Sequence, residues 1–255
     1  MTDRIQRIAE LGRFAAVHGT RALLHEPNRC SEVYRSVWYA NPSRLPRLSP
    51  QELFPGIESA DVSLLSPLLE TGGNVWLNEL VVLTGICRWL KPKTIFEIGT
   101  FNGRTTVNLA ANSPDDATVY TLDIPHDHPV YALASGEERF QLRQNNGALY
   151  RNSPFASKVK QLWSDSAEFD EMPYAGKIDL AFVDGSHSYD YIKNDTEKVL
   201  RMMSANGIVV WHDYYPQYPD VAKYLEEHRP NLAHIETTSI VVLQKAGTAL
   251  ATWNR

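Results

Sequence analysis

Apolar and polar positions switch between two periods along the chain, and the switches mark its elements. Ile5, Ile8, Leu11, Ala15 and Leu23 recur at helical spacing and predict an amphipathic helix over residues 4 to 24. From Pro27 to Pro67 the pattern breaks into short pieces. Pro42, Pro46, Pro50, Pro55 and Pro67 rule out long regular elements there, while Trp38, Tyr39 and Phe54 argue for an ordered arm. Helical spacing returns at Trp76, Leu80, Leu83, Cys87 and Leu90, with Asn74 as the expected cap and Lys91-Pro92 as the stop. Glu79 reads as a solvated residue on the polar face of that helix.

Strand patterns then alternate with helical ones. Ile95 to Ile98 form a continuous apolar run, and Thr105 to Ala111 continue as a short helix. Thr118 to Leu122 are β-branched and aromatic, Val159 to Trp163 follow, and Lys177 to Asp184 give a fourth strand. A helix with Ile192, Thr196, Val199 and Met203 on its apolar face is expected to end at Asn206-Gly207. Strand Gly207 to Trp211, a helix over 221 to 228, and strands over 234 to 237 and 240 to 243 complete the series. The last two are close enough to pair antiparallel, at an edge of the sheet. Such alternation predicts an α/β fold: a doubly wound, mostly parallel seven-stranded Rossmann-like sheet with an antiparallel last strand. The expected organisation is an arm over 1–74, a main domain over 75–247 and a tail over 248–255. Residues 124–158 are too long for a plain connection and read as a lid, with a helix between Ser135 and Gly147.

Composition narrows the function. The formal net charge is −5 and no basic run appears, which argues against nucleic acid or an acidic membrane surface as partner. No apolar run approaches a membrane span. The two cysteines, Cys30 and Cys87, make neither a disulfide framework nor a metal pair. Asp3, Arg4 and Arg7 interrupt any export signal, so the cytoplasm is the expected location. The arm either packs on the main domain or supplies a homodimer contact, packing being the blander expectation.

Candidate chemistry collects where the strands end, the place ligands bind in such sheets. Glu97 closes an otherwise apolar strand and is followed by Gly99, Thr100, Phe101 and Gly103 at a turn into a helix. That turn lets a ligand approach the main chain, and a helix N-terminus offers free N–H groups. Asp123 ends the second strand, where nucleotide-binding folds hold ribose hydroxyls. Asp165 and Ser166 follow the third strand. Asp184 and His187 follow the fourth, and His212 and Asp213 the fifth. His126, Asp127 and His128 sit in a proline-bounded loop and read as loop rather than metal site. Tyr214, Tyr215 and Tyr218 offer an aromatic lining, although packing is the commoner role.

The stretch Glu97-Ile98-Gly99-Thr100-Phe101-Asn102-Gly103 resembles the first motif of class I S-adenosylmethionine-dependent methyltransferases, in the form found in small-molecule O-methyltransferases. Asp165-Ser166-Ala167 looks like the adenine-binding loop of that class. Residues 183–189 and 210–214 resemble segments of its cephalosporin- and macrolide-tailoring members. The resemblance implies S-adenosylmethionine as cofactor, bound by Glu97, Gly99, Thr100, Phe101, Gly103, Asp123, Asp165, Ser166 and Asp184. It implies methyl transfer to a small-molecule acceptor, most naturally a hydroxyl oxygen, with His187, His212 and Asp213 as catalytic candidates. In metal-dependent relatives, acids at the positions of Asp184 and Asp213 hold a divalent cation such as Mg²⁺. His212 stands where an acid is common, and Mg²⁺ prefers oxygen ligands. An NAD-dependent oxidoreductase is the rival enzyme reading, weakened by Phe101 at the middle glycine position of the dinucleotide fingerprint. A non-catalytic cofactor-binding module is the third.

Overall fold

The computed structural model describes residues 43–69, 73–125, 146–228 and 230–243. The predicted helix over 4 to 24, Trp38 and Tyr39 of the arm, the His126–His128 loop, the Ser135 to Gly147 helix apart from Asn146 and Gly147, and the tail lie outside these residues. Contacts divide the chain into Met1–Arg44 and Leu45–Arg255, and the second unit carries the sheet.

That sheet has eight strands: β1 (Arg47–Leu48), β2 (Thr94–Ile98), β3 (Thr118–Asp123), β4 (Val159–Trp163), β5 (Ile178–Val183), β6 (Met203–Trp211), β7 (Leu232–Ile235) and β8 (Val241–Leu243). Their order is β1-β7-β8-β6-β5-β2-β3-β4. Strands β2 to β6 are mutually parallel. Strand β8 runs antiparallel to both β6 and β7, between which it lies. The doubly wound, mostly parallel α/β sheet is therefore as expected, with two differences. The antiparallel strand is not at an edge. An eighth strand comes from the proline-punctuated segment, where Arg47 pairs with His234 and Leu48 with Ile235. Prolines tolerate a two-residue edge strand because an edge residue need not donate on its outer side.

Six described helices cover the sheet: α1 (Pro50–Leu53), α2 (Leu77–Leu90), α3 (Arg104–Asn112), α4 (Ala148–Arg151), α5 (Tyr189–Met202) and α6 (Pro219–Glu227). Leu80, Leu83 and Ile86 of α2 bury against Ile95, Leu180 and Phe182, and Phe54 and Ile57 join the same core. Two expected boundaries move. The cap of helix α2 is Trp76 rather than Asn74, because Glu79 turns back to accept the Trp76 N–H at 2.9 Å. Helix α5 stops at Met202, and Asn206-Gly207 falls inside β6, next to the register shift between Ile178 and Leu180. Gly147 stands at the N-cap of α4.

Helix α3 is buried along its whole length, polar residues included. Its polar stripe explains this. Asn108 accepts the Leu65 N–H at 2.8 Å and donates to the Leu65 carbonyl at 2.9 Å. One turn on, Asn112 does the same to Ser63, at 2.9 and 2.7 Å. Arg104, fully buried, donates to the carbonyls of Ser66, Pro67 and Val75. The irregular strap over residues 63–67 is thus docked through its backbone.

Candidate functional site

The carboxyl ends of β2 to β6 bring the predicted residues to one rim, in two halves. The first half surrounds the turn after β2. Gly99 has φ +96, and a Cβ there would overlap the Asp184 carbonyl oxygen. Glycine is required by the neighbouring strand end, before any ligand is considered. Gly103 has φ +80, and its missing Cβ leaves room for the Tyr150 ring and for Gly147, 2.8 and 3.0 Å from where it would stand. The free N–H groups expected at this turn are largely occupied. Thr100 and Phe101 both donate to Asp123 Oδ2 at 3.1 Å, and Arg104 N–H donates to Asn102 Oδ1 at 3.0 Å. Asp123 Oδ2 also accepts from Asn146 Nδ2 at 2.9 Å, while Oδ1 takes the Ile124 N–H at 2.8 Å.

Glu97 is completely buried. Its Oε2 accepts from Thr106 Oγ1 at 2.5 Å and Thr121 Oγ1 at 2.6 Å, and its Oε1 has no partner. Burial pushes its carboxyl up to about 8, against the opposing pull of the two threonine hydroxyls. Thr100 Oγ1 lies 2.7 Å from Thr121 Oγ1 and accepts from Gln161 Nε2, whose Oε1 accepts from Tyr150. After β4, Asp165 accepts from Ala167 N–H at 2.8 Å and from the Tyr191 hydroxyl at 2.7 Å. That bond pushes the Tyr191 phenol up to about 12. The Ser166 carbonyl accepts from Asn194 and Lys198.

The second half sits after β5 and β6. Asp184 N–H bonds Ile98 O, and His212 N–H bonds Val183 O, so the sheet ladder itself fixes both residues. Asp213 has φ +60, a left-handed conformation uncommon outside glycine. His212 is buried with Nδ1 at 3.1 Å from Asp184 Oδ1 and 3.3 Å from Asp213 Oδ1. Its Nε2 lies 3.0 Å from Glu79 Oε2. Glu79 is 2% exposed, which corrects its reading as a solvated residue: its other oxygen accepts from Ser239 N–H and Oγ at 2.7 and 2.8 Å. The fold, not the helix pattern, buries it. Burial would raise the Glu79 carboxyl, yet the imidazole charge of His212 holds it down at about 2. Burial would lower His212, and Asp184, Asp213 and Glu79 together hold it well above the usual histidine range. Asp213 is held below the usual carboxylate range, because His212 and His187 outweigh its burial.

His187 Nε2 lies 2.6 Å from Asp213 Oδ2, and its ring stacks on Tyr218 with centroids 4.0 Å apart. At 40% side-chain exposure it is open to solvent where His212 is not. Of the three tyrosines, Tyr214 is fully buried and hydrogen-bonded to Glu226, so it packs rather than lines a site. Asp184, His212 and Asp213 offer ligand atoms within 4.8 Å of one another. Two carboxylates and an imidazole, with Glu79 behind the distal nitrogen, are a donor set for a borderline ion such as Mn²⁺ or Zn²⁺ rather than for Mg²⁺. Sequence reasoning missed Glu79, Asn146 and Gln161. An acid three positions into a helix was the available signal for the first, and no pattern pointed to the others.

Residues 96–214 match the family model described as a methyltransferase domain. Caffeoyl-CoA O-methyltransferase of Stellaria longipes is 26% identical over 135 residues, 51% of this chain and 49% of the relative, so the chain spans about half the length of the curated relative it matches. Among solved structures, the O-methyltransferase TomG from Streptomyces achromogenes, involved in tomaymycin synthesis, aligns with TM-score 0.53 at 17% identity, covering 78% of this chain and 100% of that one. A protein from Corynebacterium glutamicum aligns with TM-score 0.51 at 15% identity, covering 68% and 82%. Those two likenesses concern the fold. Residues 96–214 are thus similar to a methyltransferase domain, on a fold shared with the solved O-methyltransferase TomG.

Proposed function

We propose that the protein transfers a methyl group from S-adenosylmethionine to a hydroxyl oxygen of a small-molecule acceptor, in the cytoplasm. The observation that carries this reading is the rim itself. Asp123 and Asp165 stand at successive strand ends beside the glycine turn, and the His187–Asp213 pair follows on the same edge of the sheet. Asp123 suits ribose hydroxyls and Asp165 the adenine amino group, since carboxylates accept and those groups donate. TomG was solved in complex with S-adenosylmethionine. The buried thiol of Cys87, pushed up to about 12 by burial, is in keeping with a reducing compartment.

The chain's own residues supply positioning and a base. Asp213 accepts from His187 Nε2–H and Tyr218 stacks on the ring, which leaves Nδ1 as the proton acceptor. The acceptor oxygen loses its proton to His187 and bonds the methyl carbon. S-adenosylmethionine, when bound, would supply that methyl group, the carbon–sulfur electron pair staying on sulfur as the sulfonium becomes a neutral thioether. Alignment of oxygen, carbon and sulfur supplies much of the acceleration. His212, with both ring nitrogens against carboxylates, positions Asp184 and Asp213 rather than acting as the base. A divalent cation on Asp184, His212 Nδ1 and Asp213 would supply Lewis-acid chemistry, lowering the acceptor's pKa.

Isothermal titration with adenosylhomocysteine and with NAD, with and without EDTA, tests the reading. Micromolar binding of the first and none of the second is expected, with the affinity lost in Asp123→Ala. Binding of NAD alone would transfer the site to the oxidoreductase reading. Cofactor binding without turnover of any hydroxyl acceptor, with or without added Mn²⁺, would leave a binding module.

A further inference from the structure

One buried polar atom on the cofactor half is unexplained by the protein. Asn146 is 4% exposed, and its Oδ1 has no hydrogen-bond partner. A buried amide oxygen left unpaired costs about 1–3 kcal/mol, so a partner is to be looked for. The amide orientation is fixed chemically, because Nδ2 faces the Asp123 carboxylate at 2.9 Å and an oxygen there would be repelled. The residue is also firmly held. Gly147 N–H donates to Phe101 O at 2.7 Å and Leu149 N–H to Asn102 O at 3.0 Å, pinning the segment to the glycine turn on both sides of the helix start.

Lone-pair accounting at Asp123 points to a donor as the missing partner. A carboxylate has about four acceptor directions, two on each oxygen. Oδ2 already receives three donors, from Thr100, Phe101 and Asn146. Oδ1 receives only Ile124 N–H and has one direction left. Asp123 alone therefore has room for one hydroxyl of a ribose, not for both. The nearest chemistry that supplies a second acceptor is the amide already bonded to that carboxylate.

We infer that Asn146 is a ribose-binding residue: Asp123 Oδ1 accepts one hydroxyl of the adenosine diol and Asn146 Oδ1 accepts the other. This rests on the cofactor reading above. It makes the diol, rather than a single hydroxyl, the feature the site recognises, and it divides the recognition between the end of β3 and the end of the long connection after it.

The test is calorimetric, using adenosylhomocysteine and its 2′-deoxy and 3′-deoxy analogues on the full chain. The wild type is expected to bind each analogue about tenfold more weakly than the parent, the effect of one lost hydrogen bond. Asn146→Ala, and Asn146→Ser as a second variant of different polarity, are expected to become indifferent to one analogue while still discriminating against the other. Unchanged discrimination against both analogues in the variants overturns the inference, and so does loss of both, which would make Asn146 only a support for Asp123. Wild-type indifference to either analogue overturns it as well. Should neither variant fold, a crystal structure of the wild type with adenosylhomocysteine decides, Asn146 Oδ1 beyond about 3.5 Å from both hydroxyls being the negative result. No binding of the parent compound by the wild type is a different failure, that of the cofactor reading.

Discussion

Around the turn after β2, the carboxylates are met by neutral donors: Glu97 by two threonine hydroxyls, Asp123 by three backbone N–H groups and an amide. Around the ends of β5 and β6, Asp184, Asp213 and Glu79 are instead met by two imidazoles. Among the described residues, no ion pair reaches Glu97 or Asp123. One half is kept short of positive charge, and the other balances its charges internally. The first arrangement suits a ligand that brings its own cation, as a sulfonium does. The second holds His187 against Asp213 by contacts within the protein itself. The difference predicts that mutations in the two halves separate cleanly into binding effects and chemical effects.

The largest expected effect is on chemistry. His187→Gln should lower kcat by about 10²–10⁴-fold, the usual range for a general base, with the adenosylhomocysteine Kd unchanged. A parallel loss of cofactor affinity in titration would show that the halves are not independent. Next comes stability. Glu79→Ala leaves His212 Nε2 and the Ser239 N–H buried without their partner, while Asp184 and Asp213 still face Nδ1, at a cost of about 3–5 kcal/mol in chemical denaturation. A cost under about 1 kcal/mol would mean that His212 is not charged in the folded protein.

Glu97 should behave in the opposite way. Its folded carboxyl titrates at about 8 against an ordinary 4.5, so the folded chain holds a proton that the unfolded chain releases. Stability therefore falls as pH rises through that window. Replacing the carboxyl in Glu97→Gln should flatten the profile between about pH 5 and pH 8 and raise stability at the upper end, by an amount on the order of a few kcal/mol. Identical profiles for the two proteins would place Glu97 in contact with water or with a cation. The smallest effect belongs to Tyr191→Phe, which removes one bond to Asp165. It should weaken cofactor binding or stability by about 0.5–1.5 kcal/mol, with kcat untouched.

Much of this is legible in the chain. Strands β2 to β6 announce themselves by apolar runs, with polar residues at the rim at or just beyond their ends: Asp123 on β3, and Thr100, Asp165, Asp184 and His212 after β2, β4, β5 and β6. Pairing across the fold is not legible. Glu79 and His212 are 133 positions apart, and only the closing of the sheet puts them together. The glycines after β2 read as room for a ligand, whereas Gly99 first answers a neighbouring carbonyl and Gly103 a tyrosine ring. The strand from Arg47–Leu48 stays hidden because two residues carry no period. Asn146 ends a long connection whose pattern carries no signal for what its end will touch.

The docking of residues 63–67 on α3 has a geometric basis with a consequence for sequence change. Four residues of α-helix advance about 6.0 Å, and two residues of extended chain about 6.6 Å. Asparagines one helical turn apart, Asn108 and Asn112, can therefore read every second residue of an extended segment, taking both N–H and carbonyl as an adjacent strand would. A helix face here imitates the edge of a sheet. Because the recognition reads only main chain, the side chains at Ser63 and Leu65 are released from specifying it. Leu64 and Leu65 still pack on the core, so it is at Ser63 that the protein can vary its letter while keeping its anchorage.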